Sequence, residues 1–159
     1  MYFLIDGYNF LFRLHGEQGQ SLEKRRVSLI ETLNQELSAF KGNISVIFDS
    51  SEQIRDFAQS AKLKNLEVIY APKGQTADAY IIELAEQNRS PKMLTVVTSD
   101  GGLARQCQHI GTQTVSIEEF ITFVMKKRKK IPKDKPAYKE STAEMERLMK
   151  IFEERLKGD

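Results

Sequence analysis

A chain of 159 residues, 40% hydrophobic and 29% charged, is long enough to bury one core and has the composition of an ordered globular protein. Its longest apolar runs are far too short to span a bilayer, and the amino terminus lacks the basic flank of a signal peptide, so a cytoplasmic location with no membrane partner is the expectation. The single Cys107 excludes an internal disulfide, and one cysteine with two histidines makes zinc a poor candidate.

Strand and helix signals alternate along the chain. Tyr2–Asp6 reads as a short buried strand. A helix is expected over Ser21–Phe40, with Ser21 as N-cap and Leu29, Ile30, Leu33 and Leu37 on one face. Ile44–Asp49 is the second strand, Ser51–Lys62 a helix, and Leu66–Tyr70 the third strand. Pro72-Lys-Gly74 is a loop, and a helix runs from Thr76 to Gln87. Met93–Thr98 is a β-branched fourth strand, typical of one buried on both faces. A short helix follows Asp100, then a fifth strand at Thr112–Val115. Ser116 and Glu119 make a capping box for a helix through Met125. This alternation implies right-handed βαβ units and a parallel sheet covered on both faces.

The carboxyl end of the chain differs in character. Net charge is +2, yet the stretch Lys126–Lys135 carries +6, so the remainder is acidic by four. Such a stretch is either a solvated connector or the contact for an anionic partner. Pro132 and Pro136 point to a linker over Lys130–Lys139. Met145, Leu148, Met149, Phe152 and Leu156 then stripe a terminal amphipathic helix, opened by a second capping box at Ser141–Glu144. The expected division is residues 1–129 as the main domain and 130–159 as basic linker and docked helix.

Four aspartates stand where strand-like runs give way to polar residues: Asp6, Asp49, Asp78 and Asp100. In an open parallel sheet, ligands bind outside the carboxyl ends of the strands. Carboxylates gathered there repel one another unless a cation intervenes, which suggests a hard divalent metal and phosphodiester chemistry. Each has a duller reading as a helix cap or first-turn residue. Asp6 resists it best, because a carboxylate ending a buried strand is costly unless paired. Mg2+ or Mn2+, one or two ions, suits such ligands. Asn9 is placed to bond Asp6 or a metal-bound water. Thr76, Thr98 and Ser99 are candidates to orient the carboxylates.

Other mechanisms fit less well. No Gly-rich phosphate loop and no dinucleotide fingerprint is present. A phosphatase nucleophile motif would place a second Asp two residues after Asp6, where this chain has Tyr8. His15 and His109 have no evident nucleophilic partner, and Cys107 reads as a core residue.

Taken together, Asp-Gly-Tyr-Asn at 6–9, Phe-Asp at 48–49, Gln-Thr-Ala-Asp-Ala-Tyr-Ile at 75–81 and Val-Thr-Ser-Asp at 97–100 resemble the NYN domain family of PIN-like nucleases, in its bacterial YacP-type branch. The resemblance covers roughly residues 1–125, and its motifs contain no glutamate. It implies a three-layer α/β/α sandwich around a five-stranded parallel sheet of order 3-2-1-4-5, with a C-terminal helical extension. It further implies a metal-dependent endoribonuclease in which Asp6, Asp78 and Asp100 bind the metal while Asn9 and Asp49 support them. Single-stranded RNA, in particular mRNA, would be the substrate and the ribosome a partner. Lys126, Lys127, Arg128, Lys129 and Lys130, together with Arg13 and Arg105, are the expected phosphate contacts, and Tyr8 a stacking residue. The rival expectation is a non-catalytic RNA- or ribosome-binding module on the same fold.

Overall fold

Strand β1 (Tyr2–Asp6) owes its central place to a run with buried side chains on both faces. It pairs in parallel with β2 (Asn43–Phe48) on one side and β5 (Leu94–Val97) on the other. A computed structural model describes residues 1–14, 19–49, 59–128 and 142–157. Beyond β2 lies β4 (Glu67–Tyr70), and beyond β5 lies β6 (Gln113–Val115), both parallel to their neighbours. These five strands stand in the order expected.

The sheet is nevertheless mixed and six-stranded, in the order β3-β4-β2-β1-β5-β6. Strand β3 (Gln59–Lys62) runs antiparallel along the outer edge of β4, where the sequence suggested the end of a helix. Ser60, Ala61 and Lys62 are exposed, so no apolar periodicity announces them. A short, polar, lysine-bearing edge strand is what protects a sheet from pairing with other chains. The turn that creates it is closed by Leu63 N–H on the Leu66 carbonyl at 2.8 Å. Asn65 is tied to Asn34 through both its backbone and its side chain. The remainder of the expected 51–62 helix lies outside the described residues, as do His15, the linker over 130–139 and Ser141.

Helices cover both faces. On one, α1 (Gly7–Arg13), α2 (Leu22–Glu36), α5 (Ile117–Arg128) and α6 (Thr142–Lys157) close over Phe3, Ile5, Phe48 and Val68. On the other, α3 (Ala77–Gln87) and α4 (Gly101–Ile110) close over Leu4, Ile47, Ile69 and Val96. Ser21 caps α2 as expected, accepting from Lys24 N–H at 3.2 Å. Helix α1 is an addition that the sequence pattern does not announce, since it opens on glycine and is rich in aromatics. Gly7 is required there: a Cβ would sit 2.4 Å from the Phe48 ring. Helix α6 docks by burying Leu148 and Phe152, the latter 5.8 Å from the Phe10 ring. Burying such an aromatic side chain is worth about 2–3 kcal/mol. No helix among the described residues is long and apolar enough to cross a membrane.

Candidate active site

Side chains alternate along β1, so Asp6 points to the same face as Leu4, toward α3. That alternation brings Asp6 to Asp78, which the first turn of α3 presents from the far side of the cleft. Asp6 is 4% exposed, and its carboxyl is raised from 3.8 to about 7, by burial first and then by the charge and hydrogen bond of Asp78. Asp78 is also raised, by burial and by the charges of Asp100 and Asp49, while its bond with Asp6 acts the other way. Burial leads both shifts, and the neighbouring carboxylates add to it, because like charges close together in a poorly solvated site cannot all ionise cheaply.

The other two aspartates have structural work. Asp49 Oδ1 accepts from Ala77 N–H at 2.6 Å, and Thr76 Oγ1 accepts from Ala79 N–H at 3.1 Å, so together they cap α3. Their capping fixes the turn that carries Asp78. Asp100 Oδ1 caps α4, accepting from Gly102 N–H at 2.9 Å and Leu103 N–H at 3.4 Å. The four carboxylates therefore divide into a pair, Asp6 buried and Asp78 half-buried, and two caps, with both caps close enough to oppose ionisation of Asp78. Among the described residues, no three His, Cys, Asp or Glu side chains form a ready-made metal cage.

The loop after β5 ties these groups together. Thr98 Oγ1 lies 3.4 Å from Asp6 Oδ2 and 3.3 Å from Asn9 Oδ1. Asn9 Oδ1 also accepts from Ser99 N–H at 2.7 Å, which pins α1 to the β5 end. Ser99 Oγ donates to Glu118 Oε2 at 2.9 Å and accepts from Ile117 N–H at 3.0 Å. Glu118 in turn accepts from Arg13 Nε at 2.7 Å and also pairs with Arg13 Nη2. Burial would raise the Glu118 carboxyl, but its own backbone amide first, and then Arg13 and Ser99, hold it below its ordinary value. A cleft of about 470 Å3 opens over Thr98, Ser99, Asp100, Arg13 and Glu118.

Glu118 is the site residue that motif reading passes over. It sits inside the Ser116 capping box, where Ser116 Oγ accepts from Glu119 N–H at 3.0 Å. Yet it follows β6 at the same carboxyl edge as the aspartates, and that position is the signal. Of the expected phosphate contacts, Arg13 is engaged by Glu118, and Arg105 is exposed on α4 one turn past Asp100. Lys126 lies eight residues along α5 from Glu118, about 12 Å at 1.5 Å per residue. Phe123 on that helix packs on Phe40, which itself packs on Phe3 near the amino end of β1. The basic stretch thus begins toward the sheet edge opposite the carboxylates. The side chains of Lys127 and Arg128, and all of Lys129 and Lys130, lie outside the described residues. Tyr8 packs edge-on to Phe48, with rings 5.1 Å apart. Cys107 is buried, and His109 is exposed.

The comparisons with known proteins agree with this architecture. A profile of the YacP-like NYN domain matches residues 3–158. The chain is 27% identical to the protein YacP of Bacillus subtilis (strain 168) over 170 positions, covering 98% of this chain and 96% of that one. Among solved structures it is similar to a mutant form of Rae1 (YacP) from Bacillus subtilis, at 25% identity and TM-score 0.63, over 80% of this chain and 77% of the other. A second crystal structure of Rae1 (YacP) from Bacillus subtilis gives TM-score 0.60 at 24% identity, over 99% and 85% of the two chains, a likeness of fold. A profile that spans nearly the whole chain shows the family: the chain belongs to the YacP-like NYN domain family.

Proposed function

We propose that this chain is a metal-dependent endoribonuclease acting on single-stranded RNA. The observation that carries the reading is the Asp6–Asp78 pair: a buried carboxyl at the end of the central strand meets a half-buried one, with no cationic partner among the described residues. A protein that only held RNA would gain nothing from placing two carboxylates beside an anionic strand.

Hard oxygen donors fit Mg2+ or Mn2+. Asp6 and Asp78 would hold the ion, with the Asp100 oxygen not engaged in capping as a third donor. Three carboxylates that do not form a closed cage suit ions that retain waters and take substrate phosphate oxygens. When bound, the ion supplies an activated water and neutralises charge as the phosphodiester is attacked. The chain's own residues do the rest. Thr98 and Asn9 fix the Asp6 carboxyl and the loop bearing Asp100, while Asp49 and Thr76 hold the turn bearing Asp78. Arg13, steadied by Glu118, brings positive charge to the cleft rim. Lys126 to Lys130 serve more distant phosphates, which position the strand without reading it. The choice of mRNA, and the ribosome as partner, follow the family resemblance.

A second reading is a non-catalytic RNA- or ribosome-binding module. It is favoured by the use of Asp49 and Asp100 as helix caps. Incubating wild type, Asp6→Asn and Asp78→Asn with single-stranded RNA and Mn2+, free and with ribosomes, separates the two. Cleavage by wild type, reduced at least about 100-fold in either variant, is the expected result. RNA binding without cleavage by wild type under any condition would establish the module instead.

A further inference from the structure

We infer that Arg26, held by Tyr8 and Tyr70, binds a phosphate of the single-stranded RNA while the neighbouring base stacks on the exposed ring of Phe12. The inference rests on the nuclease reading above and adds a substrate contact on the opposite face of the sheet edge from the carboxylate pair.

Helix α2 delivers Arg26 half-buried to the carboxyl ends of β2 and β4. Its Nη1 donates to the Tyr8 hydroxyl at 3.2 Å, and its guanidinium carbon lies 5.4 Å from the centre of the Tyr70 ring. Its Nε is shielded from water with no hydrogen-bond partner among the described residues. Among the described residues no carboxylate forms an ion pair with it; Glu23, one turn earlier, acts only through its charge. A guanidinium offers five N–H donors, so packing α2 onto two tyrosines accounts for the ring contact but not for the donors. Keeping a charged fork partly desolvated and underused costs free energy. A phosphate, planar-fork compatible and doubly accepting, would supply what is missing.

Position supports the same ligand. Tyr8 lies two residues beyond Asp6, and Tyr70 pairs with Phe48, which immediately precedes Asp49. The rings form a row: Phe12 stacks on Tyr8 at 6.2 Å, Tyr8 meets Phe48 edge-on at 5.1 Å, and Phe48 stacks on Tyr70 at 5.9 Å. Phe12 at the end of that row is 65% exposed. An exposed ring joined through one aromatic neighbour to a cation, as Phe12 is joined through Tyr8 to Arg26, offers a platform for an unpaired base, whose face is available only in a single strand. A strand crossing the sheet edge would meet Arg26 and Phe12 on one face and Asp6 with Asp78 on the other.

The test is binding of a fluorescent single-stranded oligoribonucleotide across a salt series in EDTA, paired with cleavage kinetics in Mn2+. Arg26→Met should weaken binding about tenfold and lower the slope of log affinity against log salt by about 0.7, the loss of one phosphate contact. KM should rise while kcat holds. Arg26→Lys should keep the slope but recover only part of the affinity, because it lacks the fork. Phe12→Ser should weaken binding about fivefold with the slope unchanged. If Arg26→Met does not fold, Arg26→Gln and the surface change Phe12→Ser carry the test. Wild-type affinity and slope in the folded Arg26 variants, with wild type still cleaving, would overturn this contact alone. If wild type neither binds nor cleaves the strand, both the contact and the nuclease reading fall.

Discussion

Asp6, which ends the central strand, and Asp78, which opens the helix beyond β4, meet as a carboxyl pair in which both groups are raised above their ordinary values. The fold tolerates this arrangement at a cost in stability, because neither group has a cationic partner in the described structure. The same cost makes the pair receptive to a small cation.

Replacing Asp6 by Asn should stabilise the metal-free protein, and increasingly so as pH rises. The folded-state value of Asp6, about 7 against an ordinary 3.8, means that the protonated form favours folding. That contribution is full below the unfolded value and is lost as pH rises through about 7. Asparagine never ionises, so its advantage grows between about pH 4 and about pH 8, to at most about 4 kcal/mol. Urea denaturation of both proteins in EDTA at about pH 5 and about pH 8 measures it. An advantage that shrinks with rising pH would contradict a raised, buried Asp6 carboxyl.

Divalent ions should reverse that order. Mn2+ or Mg2+ at about 100 times its dissociation constant should stabilise wild type by about 2.7 kcal/mol. Asp6→Asn and Asp78→Asn should gain much less. Thermal melting with and without the ion checks this, and an equal gain in all three proteins would place the ion elsewhere.

Asp100 has two separable duties. Asn is as good a cap as Asp, so Asp100→Asn should leave stability within about 0.5 kcal/mol while lowering cleavage. Asp100→Ala should lower both, costing about 1 kcal/mol as the Gly102 and Leu103 amides lose their acceptor. Full activity in the Asn variant would reduce Asp100 to a cap alone.

Helix α6 should prove integral to the folded unit. Phe152→Ala should cost about 3–5 kcal/mol through the cavity left against Phe10. Arg155→Met should cost about 2 kcal/mol, since Arg155 Nη1 lies 2.6 Å from Oε2 of the buried Glu36. Chemical denaturation reads both; a loss below about 1 kcal/mol for Phe152→Ala would mean that α6 is loosely held.

Much of this was legible in the residues. Apolar and β-branched runs mark the five parallel strands because strands buried on both faces need such side chains, and Ser21 and Thr76 mark helix starts because backbone amides there need acceptors. The signals fail where burial is absent or packing overrides preference. Strand β3 is exposed and polar, and only pairing with β4 makes it a strand. Helix α1 begins at a glycine selected by the Phe48 ring rather than by helix propensity.

For the site, the sequence by itself determined which carboxylates end up at the carboxyl edge, since position after a parallel strand fixes that. Which of them pair and which cap was decided only by tertiary structure. Asp49 and Asp100 are spent on backbone amides within reach, while Asp6 and Asp78 meet because β1 and α3 converge. Glu118 joins through β6, and Arg26 reaches the edge through α2, neither within a recognisable motif. Local chemistry can be read along the chain, whereas distance between charges, and hence their protonation, exists only once the chain is folded.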